Sequence, residues 1–179
     1  MELHDEPQLL VRAKEGDQRA YKSLFDGHVT SLYRFLKQFS SDTDEVEEWT
    51  QRAFVKAFQN LSGFDGKSRF SSWLFRIAIN EMKSDRRRSG ILKFEKLGKE
   101  DVASANNEER EFIWNQSMKV WLSELDGLKR AVFVLYEVEG YAHAEIASML
   151  QIGESTSRTV LTRAKQRLRN RLAKEEKTT

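Results

Sequence analysis

Apolar residues recur along nearly the whole chain at intervals of three and four, the period of a helix resting on a core. Strict alternation, the signature of a half-buried strand, is scarce, and the chain has a single proline, Pro7. An all-α fold is therefore expected. The pattern predicts a first helix over about Glu6 to Glu15, ended by a left-handed Gly16, with Asp17 capping the next. The second helix, about Gln18 to Phe39, buries Tyr21, Leu24, Phe25, Val29, Leu32, Leu36 and Phe39. Ser40-Ser41-Asp42 is a polar break and a cap. The third helix, about Thr43 to Leu61, buries Val46, Trp49, Ala53, Phe54, Ala57 and Leu61.

A glycine-containing loop with two aromatics, Phe64 and Phe70, leads into a fourth helix over about Ser72 to Arg88. That helix is apolar on two sides: Leu74, Ile77 and Ala78 mark one face, and Phe75, Ile79 and Met82 another. Between them Arg76, Asn80, Lys83 and Arg87 form a polar stripe at i, i+4, i+7 and i+11. A helix buried on two sides with one cationic stripe calls for an anionic partner.

Periodicity is lost from Ser89 to Glu111, a stretch rich in Gly, Lys, Glu, Ser and Asn that reads as a flexible linker. Helix returns near Phe112, with Trp114, Met118, Trp121 and Leu125 on one face. Leu128 to Glu139 follows, expected to turn Val132, Leu135, Tyr136 and Val138 inward and to stop at Gly140. The expected architecture is two small helical domains, 1–88 and 112–174, joined by the linker 89–111 and followed by a tail, 175–179.

The second domain ends in a helix-turn-helix: Tyr141 to Leu150, the turn Gln151-Ile152-Gly153-Glu154, then Ser155 to Leu172. On the last helix Leu161, Ala164, Leu168 and Leu172 share one face, and Thr159, Thr162, Arg163 and Gln166 share the other. Seven Lys or Arg and no Asp or Glu lie between Ser155 and Lys174. An apolar stripe that packs the helix, opposite hydrogen-bonding and cationic groups, is the layout of a helix that enters a DNA major groove. An ordinary αα-hairpin would intersperse acids on that face.

Charge sharpens this picture. The net charge is only +2, but residues 42–48 carry five acids and residues 67–88 carry seven bases. One acidic surface and two basic segments suit a protein partner and a polyanion together. In the loop, Phe64, Lys67 and Ser68 combine a ring, a cation and a small donor, the means by which unstacked bases are held. On the third helix Glu48, Gln51, Arg52, Val55 and Gln59 point away from the core. Val55 there is an apolar centre within a polar rim, as in a protein contact patch.

Other chemistries are poorly supported. The chain has no cysteine, hence no disulfide frame or thiolate metal site, and the three histidines lack metal-ligand spacing. Gly63 to Ser68 faintly resembles a phosphate loop, but Leu61 occupies the place of its first glycine. No apolar run approaches the roughly 20 residues of a membrane span, and the start of the chain lacks signal-peptide character. A soluble cytoplasmic protein with no catalytic residues, metal or other cofactor is expected.

From Glu6 to Leu172, apart from the linker, the chain resembles bacterial RNA polymerase sigma factors of the extracytoplasmic-function (ECF) group. The resemblance rests on Leu10-Val11-Arg12-Ala13-Lys14-Glu15-Gly16-Asp17, with Ala20-Tyr21 and Leu32-Tyr33-Arg34-Phe35. It continues over Phe64 to Asn80, ending in Asp85-Arg86-Arg87-Arg88, and over Glu139 to Ala147 with the recognition helix beyond. It implies that the third helix (Glu48, Gln51, Arg52, Val55, Gln59) docks on the clamp coiled coil of the polymerase β′ subunit. It implies that Phe64, Lys67, Ser68, Arg76, Asn80, Lys83 and Arg87 act on the melted −10 element. It further implies that Ser155, Thr156, Arg158, Thr159, Thr162, Arg163 and Gln166 read the −35 element from a domain seated on the β flap.

The expected partners are thus core RNA polymerase, promoter DNA and an anti-sigma factor. The chain departs from the family pattern in four places. Arg52 replaces a usual acid, Val160 a usual basic residue, His143 a common tyrosine, and Asp126 a proline. The rival readings are a stand-alone helix-turn-helix regulator, dimeric on a palindrome, and a nucleic-acid enzyme, for which no acid-base cluster is present.

Overall fold

Three aspartates set where helices begin. The carboxylate of Asp17 accepts from the backbone N–H groups of Arg19 (2.8 Å) and Ala20 (3.3 Å). That of Asp42 accepts from Asp44 (2.9 Å) and Glu45 (3.3 Å). Asp126 accepts from Lys129 (2.9 Å). Each satisfies donors that the first turn leaves without an intrahelical partner. Asp126 thus supplies the cap of the helix that begins at Gly127.

The computed structural model describes residues 5–88 and 120–175, and all their regular elements are helical. The helices are α1 (Glu6–Lys14), α2 (Gln18–Leu36), α3 (Thr43–Gln59), α4 (Phe70–Arg88), α5 (Gly127–Phe133), α6 (His143–Leu150) and α7 (Glu154–Glu175). A short 3-10 turn, Leu61–Gly63, precedes the loop to α4, and a π turn, Val134–Val138, extends α5. Gly16 takes a φ of +90° and turns the chain from α1 into α2, as expected of a residue without Cβ. The expected linker and the positions Trp114 and Met118 lie outside the described residues.

Helices α1 to α4 wrap a core in which Leu24, Leu32, Phe35, Trp49, Phe54, Phe70, Leu74 and Phe75 are essentially inaccessible. Its rings meet tilted, Phe25 on Phe54 at 4.6 Å and Phe35 on Phe75 at 5.3 Å between centroids. Both apolar faces of α4 are buried, one against α2 and α3 and the other toward α6. The second unit closes Leu122, Leu125, Val132, Leu135, Ile146, Leu150, Leu161 and Ala164 around the α5–α7 crossing. The buried side chains of the two units form one continuous cluster through Phe75 and Tyr141, whose rings meet edge-on at 5.5 Å.

Two expectations for the second unit need correction. Tyr136 and Val138 are exposed (37% and 55%) instead of buried. The π turn is the reason: Glu139 donates to the carbonyl of Val134, five residues back, and the extra residue rotates this stretch off the 3.6-residue face. Leu172 is also exposed, because α7 outruns the elements that cover Leu161 and Ala164.

A polar knot joins α3 to α4. The Trp49 indole N–H donates to Asp85 (3.1 Å), the Arg52 guanidinium donates to the same carboxylate (3.1 Å), and Arg88 adds a third donor at 3.1 Å. Burial alone would raise the Asp85 pKa, but the donors of Trp49 and Arg52 outweigh it and hold the carboxyl below its ordinary value. A depressed folded-state pKa stabilises the fold above the unfolded value, about 3.9, and that contribution fades as pH falls through the lower folded value. Asp85→Asn should therefore lose stability against wild type at pH 6, with the gap narrowing toward pH 3. Urea denaturation across that range checks it, and a gap independent of pH would contradict the assignment.

Candidate nucleic-acid interface

The α6–α7 corner is fixed by backbone geometry and one buried polar pair. Gln151 adopts a left-handed conformation (φ 59°) at the end of α6, and the N–H of Ile152 reaches back to the carbonyl of Ala147 (3.0 Å). Ser157, fully buried on the inner face of α7, hydrogen-bonds His143 Nδ1 of α6 (2.9 Å). The His143 ring stacks on Tyr136 at 4.5 Å. Burial, and then the charge of Arg158, keep the His143 pKa below its ordinary value. Ser157 was not singled out in the sequence, and its signal is a small polar residue at i−4 from the apolar Leu161.

Opposite this packed side, Ser155, Thr156, Arg158, Thr159, Thr162, Arg163 and Gln166 are all exposed. Thr159 and Thr162 donate their hydroxyl hydrogens to the carbonyls of Ser155 and Arg158, each at 3.0 Å. Each outward surface is then a methyl group and an oxygen acceptor. Val160 is buried (8%) and serves packing.

The loop before α4 holds Lys67 and Ser68 at the surface, Lys67 paired with Asp65 at 3.1 Å. Phe64 departs from expectation. Only 5% exposed, its ring packs on Trp73 (5.1 Å) and Phe70 (6.0 Å), and Lys14 of α1 donates to its carbonyl (2.6 Å). A loop aromatic looks available in sequence, but three rings cluster here and Phe64 forms their floor. The half-buried ring is Trp73.

Along α4, Arg76 and Arg87 are exposed, while Asn80 and Lys83 are half-buried. The Lys83 ammonium points to the carbonyl of Leu150 at 3.4 Å, and burial, then Arg87, lower its pKa from the ordinary value. Two more polar groups at the start of α4 meet the same helix: the Ser72 hydroxyl donates to Glu145 (2.9 Å), and Arg69 pairs with it at 3.5 Å.

The outward face of α3 carries Glu48, Gln51, Arg52, Val55 and Gln59, with Val55 53% exposed. Arg52 is committed within the fold. The hydrogen bond to Asp85 and the charge of Glu48 raise its pKa above the ordinary value, although burial opposes them. Its departure from the family pattern therefore has a structural role, binding α3 to α4. Among the described residues no cluster of three or more His, Cys, Asp or Glu could hold a metal ion, and no helix is long and apolar enough to cross a membrane.

Two family descriptions match this arrangement: Sigma-70 region 2 over residues 24–90, and Sigma-70, region 4 over residues 118–168. The ECF RNA polymerase sigma factor SigE of Mycolicibacterium smegmatis is 30% identical over 97% of this chain and 71% of its own length. The chain belongs to the ECF sigma factors. SigW of Bacillus subtilis is 27% identical over 91% of this chain and 94% of that protein. Among solved structures, CnrH in complex with the cytosolic domain of CnrY is similar at TM-score 0.69 and 26% identity, over 92% of this chain and 95% of that one. The sigma factor RpoE of Bartonella quintana, in complex with the anti-sigma factor NepR, shares the fold at TM-score 0.71 and 24% identity, over 86% of this chain and 96% of that one.

A sigma factor binds core RNA polymerase and promoter DNA and directs initiation, and the two matched regions bracket the two basic surfaces described above. Region 2 contains the loop and α4, and region 4 contains α6 and α7 as far as residue 168.

The position of Phe64 yields a test. Phe64→Ala should cost about 3–5 kcal/mol of stability without any nucleic acid present, as truncation of a buried ring does. Lys67→Ala should change stability by no more than about 0.5 kcal/mol. Urea denaturation of both variants checks this, and a neutral Phe64→Ala would return the ring to the surface.

Proposed function

We propose that this sigma factor divides promoter recognition between paired and unpaired DNA. Helix α7 reads the −35 element in the major groove through Ser155, Thr156, Arg158, Thr159, Thr162, Arg163 and Gln166. The loop and α4 hold the melted −10 strand through Lys67, Ser68, Arg76, Asn80, Lys83 and Arg87, with Trp73, and not Phe64, as the ring a flipped base would meet. The protein performs no chemistry itself; the polymerase does. The single observation that carries the reading is α7, with every candidate reading residue exposed and its other side sealed by Ser157, Val160, Leu161 and Ala164.

The physical logic is complementary at the two sites. The α7 guanidiniums neutralise phosphates and contact base edges, so duplex binding falls steeply with salt. The outward methyl and acceptor of Thr159 and Thr162 suit a thymine methyl or the amino group of cytosine or adenine. Capture of an unpaired base on α4 offsets an unpairing cost of a few kcal/mol. The α3 face, with Val55 amid Glu48, Gln51 and Gln59 and with Arg52 at its edge, docks on the β′ clamp coiled coil, and the C-terminal unit rests on the β flap. The solved relatives in complex with CnrY and NepR make an anti-sigma factor the natural inhibitor of this chain, released by a stress or other signal. Cytoplasmic residence follows from work on core polymerase.

Run-off transcription with purified core RNA polymerase on a random promoter library tests the reading. Stimulation from a defined subset of sequences is expected, and none on any promoter would overturn it. On a promoter so recovered, Arg163→Ala should weaken −35 binding by about 1–3 kcal/mol, unevenly across bases at one position. A uniform loss would make Arg163 a phosphate contact. Asn80→Ala should impair opening on duplex promoter and be largely rescued by a pre-melted −10 segment; no rescue would remove Asn80 from strand capture.

A further inference from the structure

Helix α1 holds both ends of the loop that leads into α4. At the loop's start, the Lys14 ammonium, in the last turn of α1, donates to the carbonyl of Phe64 at 2.6 Å and lies 5.8 Å from the centre of the same residue's ring. At its end, Glu6 in the first turn of α1 hydrogen-bonds His28 Nε2 at 2.8 Å. The buried His28 ring packs on Phe70, the first residue of α4, at 5.3 Å between centroids. Between these two grips residues 65–69 are exposed. At the tip, Asp65 accepts from the N–H of Lys67 at 3.1 Å, and Gly66 takes the left-handed φ of +72° that the turn requires.

We infer that Lys14 is a positioning residue for base capture: it fixes the peptide between Phe64 and Asp65, and thereby the place of Lys67 and Ser68 at the strand-binding surface. The Phe64 ring is already anchored on Trp73 and Phe70. The peptide beyond that ring can still turn about one backbone bond, and such a turn swings the tip as a body. The bond from Asp65 to Lys67 sets the shape of the tip but not its angle to the core. A charged donor on the Phe64 carbonyl removes that remaining freedom, and a hydrogen bond of this kind is stronger than a neutral one. Lys14 thus acts through the loop and not on the strand. The consequence is selective. Hydrogen bonds to a base edge depend steeply on distance and angle, whereas attraction of Lys67 to phosphate does not. Loss of the Lys14 donor therefore blurs discrimination among bases more than it weakens the hold on the backbone.

This inference rests on the proposed strand-capturing role of the loop. Its test uses the full-length chain with core RNA polymerase on a promoter recovered from the random library. That promoter is remade with each of the four bases in turn at each non-template −10 position, and run-off product is measured at subsaturating protein. The unsubstituted chain defines the position with the strongest preference. Lys14→Met keeps the aliphatic stem and removes the donor. Its preference at that position should fall at least about five-fold, the weight of one hydrogen bond to a base edge. Lys14→Arg retains a cationic donor and should keep the preference. Preference is a ratio of yields from one protein, so a smaller folded fraction cancels from it.

An unchanged preference in Lys14→Met overturns the inference. So does an equal loss of yield on all four bases, which makes Lys14 a phosphate contact or a residue of the fold alone. A Lys14→Arg variant as unselective as Lys14→Met overturns it too. A chain carrying both Lys67→Ala and Ser68→Ala separates the inference from the reading beneath it. A preference unchanged in that double variant removes the loop from strand capture. A preference lost there but kept in Lys14→Met removes only Lys14.

Discussion

Helix α4 must satisfy two demands that conflict. It is the central strut of the fold, buried against α2 and α3 on one side and toward α6 on the other. It also carries Arg76, Asn80, Lys83 and Arg87, groups that cost free energy to desolvate. The resolution is geometric: spacing of four, three and four residues keeps those groups on one narrow line while apolar residues flank it. Every other element serves that line. Helix α3 anchors its back, the loop from Leu61 sets its start, and α6 sits against its open side.

The anchoring is electrostatic as well as apolar. Asp85 collects Trp49, Arg52 and Arg88 and thereby ties the basic end of α4 to α3. Beyond α2, Arg86 donates to the carbonyl of Phe39 and Arg130 to that of Gln38. Two guanidiniums from different units thus cover carbonyls just past one helix C-terminus, where partial negative charge gathers. Arg130 is deeply placed, and burial, with Arg86 beside it, lowers its pKa from the ordinary value. Like charges are held side by side there because backbone oxygens separate them. The joint between the units thus combines these charge-to-carbonyl bonds with the apolar contact of Phe75 and Tyr141.

Helix positions and caps were legible because they depend on local chemistry. Asp17, Asp42 and Gly16 behave as their side chains dictate, whatever packs around them. The exposed polar face of α7 was legible because its apolar stripe at helical spacing leaves Thr159, Thr162, Arg163 and Gln166 on the other side. Three features were not. Tyr136 and Val138 turn outward because of one π turn, which a 3.6-residue period cannot anticipate. Phe64 turns inward because three rings converge, a consequence of tertiary proximity and not of loop composition. Glu145 looks like a first-turn acid near a helix start, which it is, but its other oxygen reaches a helix 73 residues away in sequence.

Charge also bears on how strong each site needs to be. With a net charge of +2 and modest basic surfaces, neither unit is suited to tight DNA binding by itself. Joining two weak sites through the polymerase raises their effective concentration and makes the pair strong without a new contact. Weakness of the single sites has a use of its own: a free sigma factor would bind stray DNA poorly, while the holoenzyme, engaging both sites at once, would not. Modest charge on each unit serves that end, and the narrow polar line of α4 makes it compatible with a stable fold.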